Sequence, residues 1–211
     1  MNREETIEYS YNNECFALVV RHSIRDEILD TREPISQLLT PEGKELAIDF
    51  GSKLCTDRPI RLFHSIVERC KETAECIAEG FKGKSISIES LDAITGFYVY
   101  SPINVLTNLN QIGNYEFISQ WFKGVYSDKE IMPAVDARTF MYKAIVEKYN
   151  PLYLDIFVTH DWNVTLLSSL YYPITEKKYP WPDFMHGIAL QLIHDKLYAS
   201  CEANHRFPLN I

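Results

Sequence analysis

The chain alternates between continuous apolar runs and amphipathic segments, and this pattern predicts strands and helices in turn. Residues 15–20, CFALVV, have the length and apolar continuity of a strand that is buried on both faces. A helix is predicted over 40–54, because Thr40 can cap it, Pro41 suits its first position and apolar residues share one face. The chain therefore begins with a strand, a loop and a helix.

The same order repeats from residue 60 onward. IRLFHS at 60–65 is typical of a second strand, and the helix predicted over 65–81 starts with Ser65 and Glu68 in the spacing of a capping box. Residues 91–150 are aromatic and mixed, and we expect mostly helix there. The other predicted elements are strands at 85–90 and 153–159, helices at 112–124, 135–149 and 162–172, and a hairpin of 187–193 and 197–201. Strands that alternate with helices predict an α/β fold with a largely parallel central sheet.

Length and charge restrict the class of protein. At 211 residues the chain is long enough for one domain with a sizeable core, so we expect a single domain over 1–211. The net charge of -8 argues against a nucleic-acid or membrane partner, since either needs a surface rich in Lys and Arg. The first residues lack the order of a secretory signal, and no apolar run approaches the ~20 residues of a membrane span. We expect a cytoplasmic protein; the oligomeric state is not predicted.

The cysteines are odd in number, scattered and never spaced C-x-x-C. Such a pattern predicts reduced thiols, several of them buried, and neither a disulfide framework nor a zinc site. The five positions are Cys15, Cys55, Cys70, Cys76 and Cys201.

Three predicted strands end in chemically active residues. Arg21 and His22 follow the first strand, His64 and Ser65 the second, and His160 and Asp161 the strand at 153–159. Binding sites of parallel α/β sheets lie at the carboxyl ends of strands, so we expect these residues to converge. His64 fits either a place near the site or a structural role, whereas His194-Asp195 lies between two short apolar runs and predicts only a hairpin tip.

Further arginines make the expected site strongly cationic. Arg25 follows His22 closely, and Arg69 should lean back toward the sheet edge from the first turn of its helix. A ligand with two negative charges and several acceptor oxygens complements such a cluster, and phosphate matches the arginine fork. The sequence therefore predicts a site for inorganic phosphate or a phosphorylated small molecule.

The predicted site also contains the groups for phosphoryl transfer. A neutral imidazole nitrogen of His22 is a competent nucleophile, and Asp161 can donate a proton and later accept one, although it could also simply cap the next helix. Arginines and His160 can stabilise the phosphoryl oxygens, so the scheme requires no metal or cofactor.

Four motifs resemble those of the histidine phosphatase superfamily, in family order. RHSIR resembles R-H-G-x-R, HSIVERCKETA resembles S-P-x-x-R-x-x-x-T-A, and THDWNV resembles the H-D motif of the acid-phosphatase branch. LTPEGKELAIDFGSKL is similar to the L-T-x-x-G-x-x-x-A helix between them. The resemblance covers about residues 15–165, and GIALQLI is similar to the closing strand.

This resemblance implies a three-layer α/β/α sandwich with a variable, mainly helical insertion at about 91–150 that shapes the substrate pocket. It implies His22 as the phosphorylated nucleophile and Asp161 as the proton donor. The implied phosphate ligands are Arg21, Arg25, Arg69 and His160. The implied activity is that of a metal-independent phosphomonoesterase.

Ser23 departs from the signature, which has glycine at that position. Its hydroxyl either is tolerated near the phosphate loop or adds a hydrogen bond to the ligand. The divergence leaves two alternatives open, a phosphoglycerate-mutase-like phosphotransferase and a non-catalytic domain that binds a phosphorylated ligand. The mutase-like branch takes its acid from a Glu of the insertion, and the nearest candidate here, Asp92, fits that pattern poorly.

Overall fold

A computed structural model describes residues 1–26, 37–169, 181–202 and 205–209 of the chain. Its helices are α1 (Arg3–Glu8), α2 (Pro41–Lys53), α3 (Glu68–Gly80), α4 (Pro102–Phe122), α5 (Ala134–Val146) and α6 (Asp161–Ser168). Its strands are β1 (Cys15–Arg21), β2 (Ile60–His64), β3 (Ser85–Ser90), β4 (Leu154–Thr159), β5 (Gly187–Ile193), β6 (Lys196–Glu202) and β7 (His205–Pro208). Short 3-10 turns lie at Tyr9–Tyr11 and Asp92–Ile94.

The strands form one sheet in the order β3-β2-β4-β1-β5-β6-β7. The four strands from β3 to β1 are parallel, and β5, β6 and β7 extend the sheet in antiparallel fashion. Because β1, β2 and β4 are adjacent and parallel, their carboxyl ends lie side by side. The predicted, largely parallel α/β sheet is confirmed, and so is the convergence of these three strand ends.

Successive residues of the central strands pack alternately into two separate hydrophobic cores. Ala17 and Val19 of β1 pack with side chains of α4, α5 and α6. Leu18 and Val20 pack on the other face with side chains of α1, α2 and α3. The buried strand with apolar residues on both faces thus has helices on both sides, which is the three-layer sandwich that was predicted.

Most predicted boundaries agree with the structure, and the helix starts show why. Thr40 caps α2 by accepting a 3.0 Å hydrogen bond from the Gly43 amide, and Pro41 occupies the first turn as predicted. The capping box predicted for Ser65 and Glu68 is wrong, because α3 begins at Glu68 and its capping residue is Val67. The hydroxyl of Ser65 instead contacts a side chain from another element.

The segment between β3 and β4 departs most from the prediction. The helix predicted over 112–124 is only the second half of α4, which already begins at Pro102. The two halves meet at Gly113, whose φ of 78° is readily adopted only by glycine. Residues 102–112 belong to the stretch that was expected to be mostly helical, but no individual helix was predicted there because their apolar positions do not repeat clearly at helical spacing.

The end of the described chain follows the pattern. His194 and Asp195 both have positive φ and connect β5 to β6, so the predicted hairpin tip is confirmed. The helix predicted over 162–172 corresponds to α6, which ends at Ser168; residues 170–172 of the prediction lie outside the described residues. All five cysteines have free thiols, and four of them are buried. Within the described part of the chain, no helix combines the length and apolar character that a membrane span requires.

Candidate active site

His22 lies immediately after β1 and is held by its backbone and its ring. Its amide donates to the Thr159 carbonyl at 2.8 Å, which ties the end of β1 to the end of β4. Its Nδ1 lies 2.8 Å from the Ser23 carbonyl oxygen. Because a carbonyl can only accept, Nδ1 carries the proton in this contact and Nε2 carries the lone pair. The ring is thus fixed in the tautomer whose Nε2 is unprotonated.

Arg69 connects the two central histidines from the first turn of α3. Its Nε donates to Nε2 of His22 at 3.0 Å, and its Nη2 lies 3.3 Å from Nδ1 of His160. The predicted lean of this helical side chain toward the sheet edge is confirmed. The guanidinium and both imidazoles therefore share one small volume, with ring centroids of His22 and His160 5.6 Å apart.

His160 is the capping residue of α6 and is positioned by two side chains. Its Nε2 lies 2.9 Å from Oγ of Ser65. Since the Arg69 guanidinium can only donate to Nδ1, Nε2 is the protonated nitrogen and donates to the hydroxyl. This contact is the reason that Ser65 does not cap α3 through Glu68: its oxygen is bonded to a distant histidine and to the Val67 amide.

Asp161 is partly exposed and faces Arg21. Its Oδ2 lies 3.3 Å from Nη2 of Arg21 and accepts from Nε1 of Trp181 at 3.3 Å. It is the first residue of α6, and its Oδ1 accepts from the Trp162 amide at 2.9 Å. Arg21 itself lies over the ring of Phe184 at 4.2 Å. The carboxyl group is therefore supported from several sides.

Burial and positive charge keep both histidines neutral. Burial is the largest cause that holds the pKa of His22 well below 6.5, and the positive charge of the Arg69 guanidinium lowers it further. Burial and the Arg69, Arg21 and Arg25 guanidiniums lower the pKa of His160 to about 3. At neutral pH the Nε2 atom of His22 is consequently unprotonated, which is the form a nucleophile needs.

Ser23 is buried and its side chain holds the loop after β1 in place. Its side chain is fully buried, its Oγ donates to the Gly43 carbonyl at 2.7 Å and its amide donates to Oγ1 of Thr73 at 3.0 Å. The loop after β1 also lies very close to α2 at Gly43, since a Cβ there would lie 2.1 Å from the Ile24 carbonyl oxygen. The substrate-binding position predicted for Ser23 therefore differs from the one observed, where the hydroxyl anchors the loop to α2.

A cavity of about 770 Å³ opens over these residues. Of the seven residues predicted for the site, five line it: His22, Arg25, Arg69, His160 and Asp161. Arg21 and Ser23 do not line it. Arg21 contacts Asp161, which does line the cavity. His64 is buried with Nδ1 near the Ser65 carbonyl oxygen, and Asp92 is exposed; neither lines the cavity.

The remaining cavity residues were not predicted individually. They come from the segment after β3, mainly α4, and from Trp162 of α6. No motif marks them, because an apolar side chain that lines a pocket looks the same in sequence as one in a core. In the described ranges, no group of three or more His, Cys, Asp or Glu side chains is placed to hold a metal ion.

A buried polar network connects this segment to the strand end that carries His160. Asn163 accepts from the Tyr98 hydroxyl at 2.7 Å and donates to the Ile94 carbonyl and to Oγ1 of Thr159. Thr159 also donates to the Ile94 carbonyl at 2.6 Å. All the side chains of this network are buried, so its hydrogen bonds fix the cavity wall relative to β4.

Sequence comparison does not assign the chain: no protein-family model matches it, and no curated protein does so significantly. Solved structures do match over nearly the whole chain. YhfR of Bacillus stearothermophilus aligns with a TM-score of 0.58 and 14% identity, covering 90% of this chain and 98% of its own. A phosphoserine phosphatase of Entamoeba histolytica, solved with phosphoserine, aligns with a TM-score of 0.57 and 12% identity, covering 92% and 94%. A phosphoglycerate mutase of Bacillus anthracis aligns with a TM-score of 0.54 and 14% identity, covering 94% of both chains.

At these identities the alignments establish the fold. They agree with the resemblance that the four motifs indicated, since phosphatases and a mutase share this architecture. The chain therefore has the fold that these phosphatases and the phosphoglycerate mutase share.

Proposed function

We propose that the protein is a metal-independent phosphomonoesterase that forms a phosphohistidine on His22. One observation carries this proposal: the neutral Nε2 of His22 faces a cavity that is also lined by two guanidiniums and His160. An unprotonated imidazole nitrogen amid groups that bind phosphoryl oxygens is suited to attack phosphorus. The phosphatases among the structural neighbours support the same class of reaction.

In the first step, the Nε2 lone pair forms a bond to phosphorus while the bond from phosphorus to the ester oxygen breaks. The departing oxygen takes a proton from Asp161, and the Asp161 side chain becomes a carboxylate. Arg25, Arg69 and His160 stabilise the phosphoryl oxygens during transfer. Arg69 must exchange its hydrogen bond to His22 for one to the phosphoryl group, because the lone pair it occupies is the attacking one.

In the second step, Asp161 as carboxylate takes a proton from water while the water oxygen bonds to phosphorus. The phosphorus–nitrogen bond breaks, and inorganic phosphate leaves with His22 neutral again. Arg21 contacts Asp161 at 3.3 Å and orients the carboxyl group toward the cavity. Both steps balance with water as the one co-reactant.

A screen of phosphomonoesters with and without EDTA tests the proposal. We expect phosphate release that EDTA does not reduce, and His22→Ala should lower it by on the order of 10⁴-fold or more. His194→Asn is the matched control, since His194 lies at the hairpin tip with positive φ and asparagine tolerates that conformation. Loss of activity with EDTA, or turnover by His22→Ala within tenfold of the unmodified protein, would contradict the proposal.

Product analysis in the same screen separates the alternative reactions. Hydrolysis gives one free phosphate for each alcohol, whereas a mutase-like transfer gives a new phosphate ester without net phosphate release. A protein that binds phosphate but releases none from any ester would be a non-catalytic phosphate-binding domain.

A further inference from the structure

The cavity has two chemically different ends. Its Arg, Asp and His lining residues all come from the ends of β1 and β4 and the start of α3, where His22, Arg69 and Asp161 lie. The remaining described lining residues are uncharged, and many are aliphatic or aromatic. A substrate with its phosphoryl group at His22 would place its alcohol portion against this uncharged wall.

The wall comes from a stretch of sequence that carries no charge. Between Asp92 and Glu116 there is no Asp, Glu, Lys, Arg or His. From this stretch Val105, Leu106 and Leu109 line the cavity. A run of 23 uncharged residues is unusual in a chain of which 24% is Asp, Glu, Lys or Arg. The composition thus changes at the point where the chain borders the cavity.

An aromatic row fixes the side of the wall nearest the charged end. Trp162 stacks on Phe117 with centroids 5.2 Å apart, and Phe117 stacks on Tyr126 at 4.6 Å. The indole nitrogen of Trp162 donates to Oδ1 of Asn114 at 3.3 Å, which uses its polar atom. The Trp162 ring therefore borders the cavity as a supported apolar surface.

This arrangement disfavours a charged alcohol portion. A substrate carboxylate or ammonium against Leu106 and Leu109 would lose water and gain no opposite charge from the described wall, which costs free energy. An apolar group in the same place would remove apolar surface from water on both sides. The charged end of the cavity would still bind the phosphoryl group.

We infer that the substrate is a phosphomonoester of an uncharged, largely apolar alcohol, with Leu106, Leu109 and Trp162 as its specificity-determining wall. The inference rests on the proposed function, because it places the phosphoryl group at His22. Esters whose alcohol carries a carboxylate or an ammonium, such as a phosphorylated amino acid, are poor substrates on this account.

Non-hydrolysable alkylphosphonates test the inference by binding alone. Calorimetry with ethyl-, butyl-, hexyl- and octylphosphonate should show Kd falling by about two- to fourfold per added methylene until the wall is covered. An ω-carboxyl analogue of the hexyl compound should bind at least about tenfold more weakly than hexylphosphonate. A Kd that does not depend on chain length, or equal affinity for the carboxylated compound, would overturn the inference.

A pair of substitutions on one helix locates the effect. Leu109→Asn keeps the side-chain size, and it should remove most of the chain-length dependence while leaving the Kd of inorganic phosphate within about twofold. Ile103→Asn is the matched control, since Ile103 is 79% exposed and does not line the cavity. If Ile103→Asn and Leu109→Asn have equal effects, the wall assignment is wrong.

The two proposals fail separately. Phosphonate affinity that rises with chain length, without any phosphate release from octyl phosphate, would support the wall and contradict the phosphatase. Phosphate release that favours phosphoserine over octyl phosphate would support the phosphatase and contradict the wall.

Discussion

The charged end and the uncharged wall of the cavity are built from different kinds of structure. The charged end is formed where three adjacent parallel strands stop and two helices start, and His22 there is only 2% exposed. The wall is formed mainly by a helix that is kinked at Gly113 and largely exposed on its outer side, with Trp162 of α6 beside it. The groups proposed for phosphoryl transfer thus depend on the sheet, whereas most of those proposed for selectivity lie in one inserted segment.

Because the two ends are built separately, substitutions in one end should change its property without changing that of the other. Substitutions at the charged end should lower the rate for every phosphomonoester. Substitutions in the wall should change the preference among esters and leave phosphate binding nearly intact.

Arg69→Ala should lower activity strongly, although less than loss of the proposed nucleophile His22, because Arg69 contacts both His22 and His160 and lines the cavity. Removing one preorganised donor to the phosphoryl oxygens typically lowers kcat by about 10²- to 10³-fold. Lys71→Ala on the same helix is the control, since Lys71 is half exposed and its only recorded ion pair among the described residues is with Glu75. Steady-state kinetics with one aryl phosphate measures both variants, and a loss of less than tenfold for Arg69→Ala would contradict its assigned role.

Acid should destabilise the protein through its buried histidines. In the unfolded chain a histidine has a pKa of about 6.5, whereas the folded-state pKa is about 3 for His160 and well below 6.5 for His22. As the pH falls below 6.5, the unfolded chain therefore binds protons that the folded protein does not, and the free energy of unfolding decreases toward the folded-state pKa. The expected slope reaches about 1.4 kcal/mol per pH unit for each histidine.

Urea denaturation between pH 6.5 and 5 measures this slope. His160→Gln removes one of the two groups and should reduce the slope by about 1 kcal/mol per pH unit. An unaltered slope in His160→Gln would show that His160 is not held neutral by its surroundings.

Ser23→Gly should have the smallest effect on activity, although it restores the residue of the family signature. It removes the hydrogen bond from Ser23 to Gly43 and adds backbone freedom to the unfolded chain, so the free energy of unfolding should fall by about 1–2 kcal/mol. Because the hydroxyl is directed at Gly43, kcat/KM should stay within about threefold. Ser23→Ala isolates the contribution of the hydrogen bond to the free energy of unfolding. A tenfold loss of kcat/KM in either variant would show that the Ser23 hydroxyl contributes to substrate binding.

The charged end could be predicted from sequence because its residues are tied to strand ends. Arg21, His22 and Asp161 follow apolar runs that are unmistakably strands, and parallel strands bring their carboxyl ends to one edge. The error at Ser65 has a clear reason. A serine three residues before a glutamate suits a helix cap locally, but a hydrogen bond to His160, 95 residues away, determined its place.

The wall could not be predicted in the same way. Leu106 and Leu109 belong to a helix half with little amphipathic pattern, and their partners across the cavity are distant in sequence. The contacts of Asp161 with Arg21 and Trp181 likewise depend on how the strand ends pack, which spacing does not record. The reactive residues at the strand ends could therefore be predicted from sequence, whereas the residues that shape the cavity around them could not.

We propose above that His22 carries the phosphoryl group during turnover. Asp161→Asn with p-nitrophenyl phosphate should expose it most directly, because this leaving group needs little protonation while water attack loses its base. We predict a burst of nitrophenolate close to one equivalent per protein, and, after an alkaline quench, mass spectrometry should find the phosphoryl group on His22. Continued turnover with no phosphoryl group on His22, or with the group on another residue, would contradict the account.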